Sequence, residues 1–269
     1  MNFIERHKFK LFFSYYALLT VFTALDPFNL NEIISESDAI SFFMLFLPVV
    51  AYFIHRDIIN RKRKADLEEY AKKNNYDFSK EPNEEQISLF KEFSSTKIIN
   101  NKDKFFNLLI PQDDTDVRPL IATGRSEFGS NEGSYYRYTQ VFLYKHNNEI
   151  PRFSVQKKNI ADIFISYFNE RHIESRYSNI YGLDIFKFKD KKFPHNKYFF
   201  LTKDPNIENF ISNEFIELLE TGIKRKKALI NIESNGKNLI FYKQWSRHST
   251  ESMDYYLNLF NALKESLLK

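Results

Sequence analysis

Two uncharged, strongly apolar stretches lie close together near the N-terminus, at Leu11–Leu25 and Ala39–Ile54. They contain 15 and 16 residues, whereas a helix needs roughly 20 residues to cross a hydrocarbon core of about 30 Å. Flanking lysine and arginine side chains extend such a span, because their charged ends reach the membrane surface. The pattern therefore predicts two transmembrane helices, over about residues 9–25 and 39–55.

Two other interpretations of these stretches stay open. A helical hairpin buried in a water-soluble core would be equally apolar, although charge on both sides of the pair is more typical of membrane segments. A cleaved secretory signal would need an A-x-A-like site after the first stretch, and the sequence has none there. Pro48, inside the second stretch, is compatible with a membrane helix whose freed backbone groups are satisfied by neighbours.

The distribution of lysine and arginine predicts the orientation of the two helices. The loop between the stretches has four acidic residues and neither lysine nor arginine, whereas basic residues precede the first stretch and follow the second. Because lysine and arginine favour the cytoplasmic side, both termini are predicted to be cytoplasmic. Residues 1–64 then form a membrane anchor, and residues 65–269 form a cytoplasmic domain.

The formal net charge of +4 does not indicate a nucleic-acid-binding protein. Residues 65–269 hold 31 basic and 29 acidic residues, which is not the basic field that binds phosphate backbones. A local surplus follows the second stretch, at Arg61, Lys62, Arg63 and Lys64. It matches anionic lipid headgroups, at about 1 kcal/mol per basic side chain, or it serves topology alone. The chain has no cysteine, which excludes disulfides, thiolate metal sites and cysteine nucleophiles.

Apolar periodicity in residues 65–269 predicts alternating short strands and amphipathic helices. Strands are expected at Phe106–Ile110, Val117–Thr123, Tyr135–Tyr144 and Phe153–Gln156, with a strand pair at Asp184–Phe188 and Lys197–Thr202. Helices are expected at Asn83–Phe93, Ile160–Phe168 and Asn206–Glu220, the last of them stopped by Gly222.

The C-terminal part is predicted to be a β-hairpin followed by a helix. In the hairpin, Ala228–Lys243, the Asn235-Gly236 pair is typical of a type I′ turn, which would set Ile232 opposite Leu239 and Ile230 opposite Phe241. The helix is capped by Ser249 or Thr250 and carries an apolar face. The predicted fold class is α+β: a transmembrane helical hairpin, then a mostly antiparallel sheet with helices packed on one face.

Two segments are candidates for a binding surface. Gly124–Gly133 contains three of the six glycines but lacks the Gly-Lys-Ser/Thr ending and following helix of a phosphate-binding loop, so a mobile hairpin loop is predicted. Lys187–Lys197 forms the tip of the predicted strand pair, which is either simply solvated or a contact for an anionic headgroup, peptide or nucleotide. The candidate binding residues are Lys187, Lys189, Lys191, Lys192 and Arg125.

The densest titratable cluster contains Glu170, His172 and Glu174, which are the candidates for catalysis. A base between two carboxylates can shuttle protons, whereas charge pairing on a solvated surface explains the same cluster. The sequence has neither an H-x-x-x-H or H-E-x-x-H pair nor a G-x-S-x-G elbow. No metal site, cofactor or hydrolase triad is therefore predicted.

Several aromatic and turn motifs are distributed over residues 65–269. They are Asn107-Leu108-Leu109, Tyr136-Arg137-Tyr138, Ile150-Pro151-Arg152-Phe153-Ser154-Val155, Asp184-Ile185, Phe193-Pro194, Tyr198-Phe199-Phe200-Leu201, Asp204, and Ile232-Glu233-Ser234-Asn235-Gly236 with Leu239 and Tyr242. Together they resemble a family of bacterial membrane-anchored proteins whose cytoplasmic domain has no known function, and the resemblance covers about residues 65–269. This chain has Gln156-Lys157-Lys158 where such sequences often have Arg-Pro-Glu. The resemblance implies a location in the bacterial inner membrane, and it implies no activity.

The expected function is that of a membrane-anchored protein whose cytoplasmic domain binds or senses a protein or small-molecule ligand. An enzyme of unknown reaction is one alternative. A defence or stress effector, in which the cytoplasmic domain gates the membrane hairpin, is another.

Overall fold

A computed structural model describes residues 38–96, 105–113, 118–130, 133–145, 149–159, 170–224, 230–244, 246 and 248–267. Within these ranges, it describes the backbone alone at 38–53, 55–56, 128–130, 133–136, 170 and 222–224. The chain divides into two compact units, Met1–Asp66 and Leu67–Lys269. Two predicted helical segments, Leu11–Leu25 and Ile160–Phe168, lie outside the described residues.

The described chain forms helices and strands in a mixed order. The elements are α1 (Asp38–Lys73), β1 (Tyr76–Ser79), α2 (Glu84–Lys91), β2 (Phe105–Pro111), β3 (Leu120–Ser130), β4 (Gly133–Lys145), β5 (Phe153–Lys157), α3 (Glu170–Tyr181), β6 (Asp184–Ile185), β7 (Tyr198–Thr202), α4 (Ile207–Phe210), α5 (Asn213–Lys224), β8 (Asn231–Ser234), β9 (Asn238–Tyr242) and α6 (Thr250–Leu267). The second apolar stretch, Ala39–Ile54, lies within α1. Among the residues described in full, no helix is long and apolar enough to cross a membrane.

The strands form one nine-stranded sheet in the order β1-β2-β3-β4-β9-β8-β5-β7-β6. The neighbouring strands pair antiparallel throughout. The hairpin β8–β9 occupies the middle, because β9 pairs with β4 and β8 pairs with β5. The α+β class and the antiparallel sheet predicted from the sequence are confirmed.

Side chains that alternate along the strands build cores on both faces of the sheet. On one face, Val155, Ile232 and Phe241 pack with apolar residues of α5 and α6 and with the end of α1. On the other face, Phe90 and Phe93 cover β2, β3, β4 and β9, while residues of α3 cover β7. The expectation that helices pack on one face only is therefore wrong. Both faces carry apolar rows, so each needs a covering layer.

Two elements near the start of the domain have clear local causes. Tyr76–Ser79, for which no strand was predicted, forms the edge strand β1 and pairs with β2. Asn75 makes the change of direction from α1 with a φ of 54°, a conformation that asparagine tolerates better than most residues. Helix α2 begins with a capping box, in which Asn83 and Gln86 each accept the other's backbone N–H.

The glycine-rich segment Gly124–Gly133 was predicted to be a loop, and this prediction is wrong. The segment continues the strands of a long hairpin. Strand β3 runs through Gly124 to Ser130, and Ser130 pairs with Gly133 at the start of β4. Glycine lowers strand propensity without removing backbone donors or acceptors. The regular ladder with β4 therefore outweighs the local composition, and only residues 131–132 remain between the strands.

The helix predicted over Asn206–Glu220 is divided into α4 and α5. Ile211 adopts an extended conformation with φ −78° and ψ 116°, which ends α4. The Ser212 hydroxyl then accepts the N–H of Phe215 at 3.0 Å, so serine caps the second helix. Helix α5 continues past Gly222 to Lys224, so the prediction that Gly222 stops it is wrong.

The Asn235-Gly236 hairpin is present, but its register differs from the prediction by two residues. Ile232 pairs with Phe241, and Ser234 pairs with Leu239. Among the described turn residues, only Gly236 has a positive φ, 103°, which is the pattern of a type II′ turn with glycine first. Asn235 instead accepts the N–H groups of Lys237 and Asn238. A shift of two residues leaves each side chain on its predicted face.

Candidate functional site

The predicted basic tip is a loop held against α4, and we call residues 186–197 the basic loop. The Glu208 carboxylate accepts the backbone N–H groups of Lys189, Asp190 and Lys191 at 3.2, 2.8 and 3.1 Å. These hydrogen bonds, with that of Asp190 first, lower the pKa of Glu208 despite some desolvation. One anionic side chain thus fixes three consecutive backbone donors of the loop.

Lys191 fastens the same loop from the opposite direction. Its ammonium donates to the backbone carbonyls of Glu208 and Ile211, at the end of α4. Cations favour this position because helix C-termini expose unsatisfied carbonyls. Lys191 was predicted to contact a partner, and the structure places its charged end on this helix terminus.

An aromatic cluster supports the rest of the basic loop. Phe188 stacks on Phe193 with ring centroids 4.9 Å apart, and both rings meet Phe200 of β7 edge-on. His195 lies 4.9 Å from Phe193, and burial lowers its pKa, with Lys158 and Lys187 acting in the same direction. The side chains of Lys187, Lys189 and Lys192 are exposed above this support.

Arg125, the other candidate binding residue, belongs to a distant part of the sheet. It is half-buried in β3 opposite Tyr138. Strand β7, which carries the basic loop, is five positions from β3 in the sheet order. At roughly 4.8 Å per strand, the separation is about 24 Å. The structure therefore does not bring Arg125 and the lysines into one compact site.

The candidate catalytic cluster lies at the start of α3, a helix that the sequence analysis did not predict. His172 is exposed and Glu174 is half-buried, while Ile173 between them is fully buried against β7. Residues two apart on a helix do not share a face. The helix was detectable from the spacing of Ile173, Tyr177 and Tyr181, which line its buried side.

A buried polar row crosses the middle of the sheet, and sequence reasoning missed it. It consists of Ser154, Gln156, Asn231, Glu233 and Tyr242. Gln156 donates to the Ser154 hydroxyl at 2.7 Å and accepts from the Tyr242 hydroxyl at 3.1 Å. These residues alternate with apolar ones, so in the sequence they look like the solvated face of a half-buried strand.

Glu233 is the charged member of this row and is only 2% exposed. Its two carboxylate oxygens accept the backbone N–H groups of Ser94 and Ser95 at 2.7 and 2.9 Å, just beyond α2. Burial raises the pKa of Glu233, while these hydrogen bonds and the nearby Arg152 guanidinium oppose the rise. The carboxylate joins the turn after α2 to the central strand β8.

An open cleft of about 370 Å³ lies where β5 begins and where α3 and β7 end. Its lining residues are Pro151, Arg152, Gly182, Leu183, Lys203 and Asp204. None of these residues was predicted to be a site residue. Their location next to the ends of predicted strands was the available indication, because loops at the ends of strands and helices often carry binding residues.

Within the described ranges, no group of three or more histidine, aspartate or glutamate residues is placed to hold a metal ion. Comparison with known proteins gives no match to a family model, a curated protein or a solved structure. Function is therefore inferred from the residues and their geometry.

Proposed function

We propose that the protein is a membrane-anchored binding module whose domain, residues 67–269, presents the basic loop to an anionic partner. The anchor is formed by the two apolar stretches in a bacterial inner membrane, with both termini in the cytoplasm. The partner is a protein or a small molecule, and nucleic acid is not expected because the domain is nearly charge-balanced.

Features of α1 support the membrane anchor. Ile54 and Ile58 are 57% and 58% exposed and stand one turn apart on the helix. Large apolar side chains on one exposed face are suited to apolar surroundings. One turn later the exposed Arg61, Lys62 and Lys64 provide the positive charge that favours a cytoplasmic, anionic membrane surface.

The observation that carries the binding function is the fixation of the basic loop. Glu208 accepts backbone N–H groups of the loop, Lys191 of the loop donates to backbone carbonyls at the end of α4, and stacked aromatic rings pack within the loop. A loop that is already ordered loses less conformational entropy when a partner binds. Lys189 and Lys192 are exposed on this ordered backbone, so their charge is available to an anionic surface.

Affinity capture from detergent-solubilised membranes tests this function with the full-length chain. The double variant Lys189→Glu/Lys192→Glu reverses two exposed charges and spares Lys191, which holds the loop. The matched control is Lys145→Glu/Lys237→Glu, which makes the same charge change at exposed positions near the β8–β9 turn. We expect the first variant to lose the captured partner and the control to keep it.

Equal capture by both double variants would refute the role of the basic loop. The enzyme alternative predicts a different result, because it depends on α3. If His172→Ala and Glu174→Ala abolish the cellular phenotype while capture persists, and the purified protein consumes a metabolite, the domain is an enzyme rather than a binding module.

A further inference from the structure

The cleft at the start of β5 differs from the basic loop in position and in chemistry. Leu183 provides a buried apolar wall, Pro151 is half-buried, and the charged residues Arg152 and Lys203 are exposed. Its volume of about 370 Å³ lies near the lower end of the range for small-molecule pockets, about 300–1,000 Å³. The cleft therefore fits a small metabolite.

Backbone hydrogen bonds fix the walls of the cleft relative to one another. The Thr202 hydroxyl donates to the Arg152 carbonyl and accepts the Asp204 N–H, both at 3.0 Å. The Arg152 guanidinium donates to the Tyr181 carbonyl at 3.2 Å, which connects β5 to the end of α3. Arginine has five N–H donors, so this bond leaves others for a ligand.

Gly182 keeps one side of the cleft open. It follows α3 with a φ of 64°, and its N–H binds the Ser178 carbonyl at 2.7 Å, as in a helix C-cap. A Cβ atom at this position would meet nothing within 4 Å, so the space beside the backbone is empty. The turn that ends α3 thus exposes backbone and adds no side chain to the opening.

The charges that line the cleft are two cations and one carboxylate. Lys203 makes no hydrogen bond or ion pair with any residue that the structure describes, and Asp204 uses one oxygen to accept the Asn206 N–H at 2.9 Å. The guanidinium fork of Arg152 matches the geometry of a carboxylate. The complementary ligand has two anionic groups for the cations and a donor for Asp204.

We infer that the cleft binds a small acidic amino acid, meaning a molecule with two carboxylates and one ammonium group. One carboxylate binds Arg152, the other binds Lys203, and the ammonium donates to Asp204. Arg152 also interacts electrostatically with the buried Glu233 carboxylate, which does not line the cleft. This site is independent of the basic loop and of the function proposed for it.

Isothermal titration calorimetry on the detergent-solubilised full-length chain tests the inference with L-glutamate and L-aspartate. We expect saturable binding of at least one of them with a Kd of about 1 mM or tighter. Glutarate, which lacks the ammonium group, is expected to bind about tenfold more weakly, and L-lysine not to bind. Absence of binding at about 10 mM, or binding of inorganic phosphate alone, would overturn the inference.

Three variants separate the contacts. Lys203→Ala is expected to weaken amino-acid binding at least about tenfold, as for loss of a charge-assisted hydrogen bond. Asp204→Asn keeps an oxygen for the Asn206 N–H but removes the charge, so the preference for glutamate over glutarate is expected to disappear. Lys237→Ala, at an exposed turn outside the cleft, is the control and is expected to bind as the wild type does.

The melting temperatures of the variants distinguish a lost ligand contact from a loss of folding. The Lys203 side chain is exposed and makes no hydrogen bond or ion pair within the described ranges, so its substitution is not expected to change the melting temperature. Unchanged affinity in Lys203→Ala, or an unchanged glutamate-to-glutarate ratio in Asp204→Asn, would show that binding occurs elsewhere and overturn the assignment of this cleft.

Discussion

The ionisable side chain of Glu233 lies in the middle of the sheet, where water has almost no access. Isolated burial of a carboxylate is costly, and here two backbone N–H groups offset part of that cost. Because the pKa is raised in the folded state, the native protein binds the proton more tightly than the unfolded chain does. This group therefore favours folding below its ordinary pKa, and the benefit is lost as pH rises through the raised value.

This linkage gives a prediction for Glu233→Gln. The free energy of unfolding of the wild type, minus that of the variant, is expected to fall as pH rises from about 4.5 through the raised pKa of Glu233. Urea unfolding of both proteins at a series of pH values measures this difference in the free energy of unfolding. The contributions of the other titrating groups cancel, because both proteins contain them. A difference that is constant across pH would show that Glu233 titrates as an ordinary exposed carboxyl.

Gly236 gives a second prediction at a single residue. Gly236→Val is expected to destabilise the domain by about 1–3 kcal/mol, because a β-branched residue resists the φ of 103°. Steric crowding is a minor factor, since the nearest atom to a Cβ there is the Ile150 carbonyl oxygen at 3.8 Å. Thermal unfolding compares it with Lys237→Val, the next turn residue, and equal melting temperatures would contradict the turn assignment.

The basic loop is the element on which the proposed function depends, and Glu208 is the acceptor that fixes its backbone. Glu208→Ala is expected to increase hydrogen exchange at the amides of residues 189–191 about tenfold or more, since each loses its acceptor. Glu217→Ala, an exposed position on α5, serves as the control. Slow exchange that persists in Glu208→Ala would mean that the aromatic cluster alone orders the loop.

The elements show what a sequence can and cannot predict. Alternating patterns identified most strands, because a strand with one or two apolar faces has a regular period. The β8–β9 register was missed because Asn-Gly fits more than one turn type, and the side-chain bonds of Asn235 select between them. The β3–β4 pairing was predicted, but its extension through Gly124–Gly133 was missed, because it depends on cross-strand bonds that local composition does not encode.

For the candidate sites too, local sequence patterns were predictable and long-range contacts were not. The exposed lysines of the basic loop were predicted from composition, but the roles of Glu208 and Lys191 were not. Their partners are up to 20 residues away and meet only through the fold. The buried row around Glu233 joins residues separated by more than 80 positions, such as Gln156 and Tyr242. Sequence spacing carries no signal for such contacts.

At the scale of the whole molecule, residues 65–269 are expected to fold without the preceding apolar stretches. The unit Leu67–Lys269 contains the sheet, both of its covered faces and the end of α1 that packs on it. A fragment starting at Ala65 should be monodisperse and unfold cooperatively on heating, as followed by circular dichroism. Aggregation, or melting without a transition, would mean that the first 64 residues or a partner complete the core.

The proposed membrane topology gives the last prediction. Reporter fusions at the C-terminus and within Asn29–Ser37 are expected to report opposite sides of the membrane, because lysine and arginine flank that loop but do not occur in it. Adding lysines near Asn31 while neutralising Arg61–Lys64 is expected to give mixed orientation. An externally active reporter at the C-terminus would refute the assignment.

The position of β8 and β9 in the sheet also determines when the domain can be completed during translation. Strands β1–β4 and strands β5–β7 leave the ribosome first, yet they share no direct pairing and are joined only by the later hairpin. Until residues 231–242 emerge, β4 and β5 each present an unpaired edge, which is a template for intermolecular association. When the central hairpin adds to the sheet, it covers both of these edges at once, because β9 pairs with β4 and β8 pairs with β5.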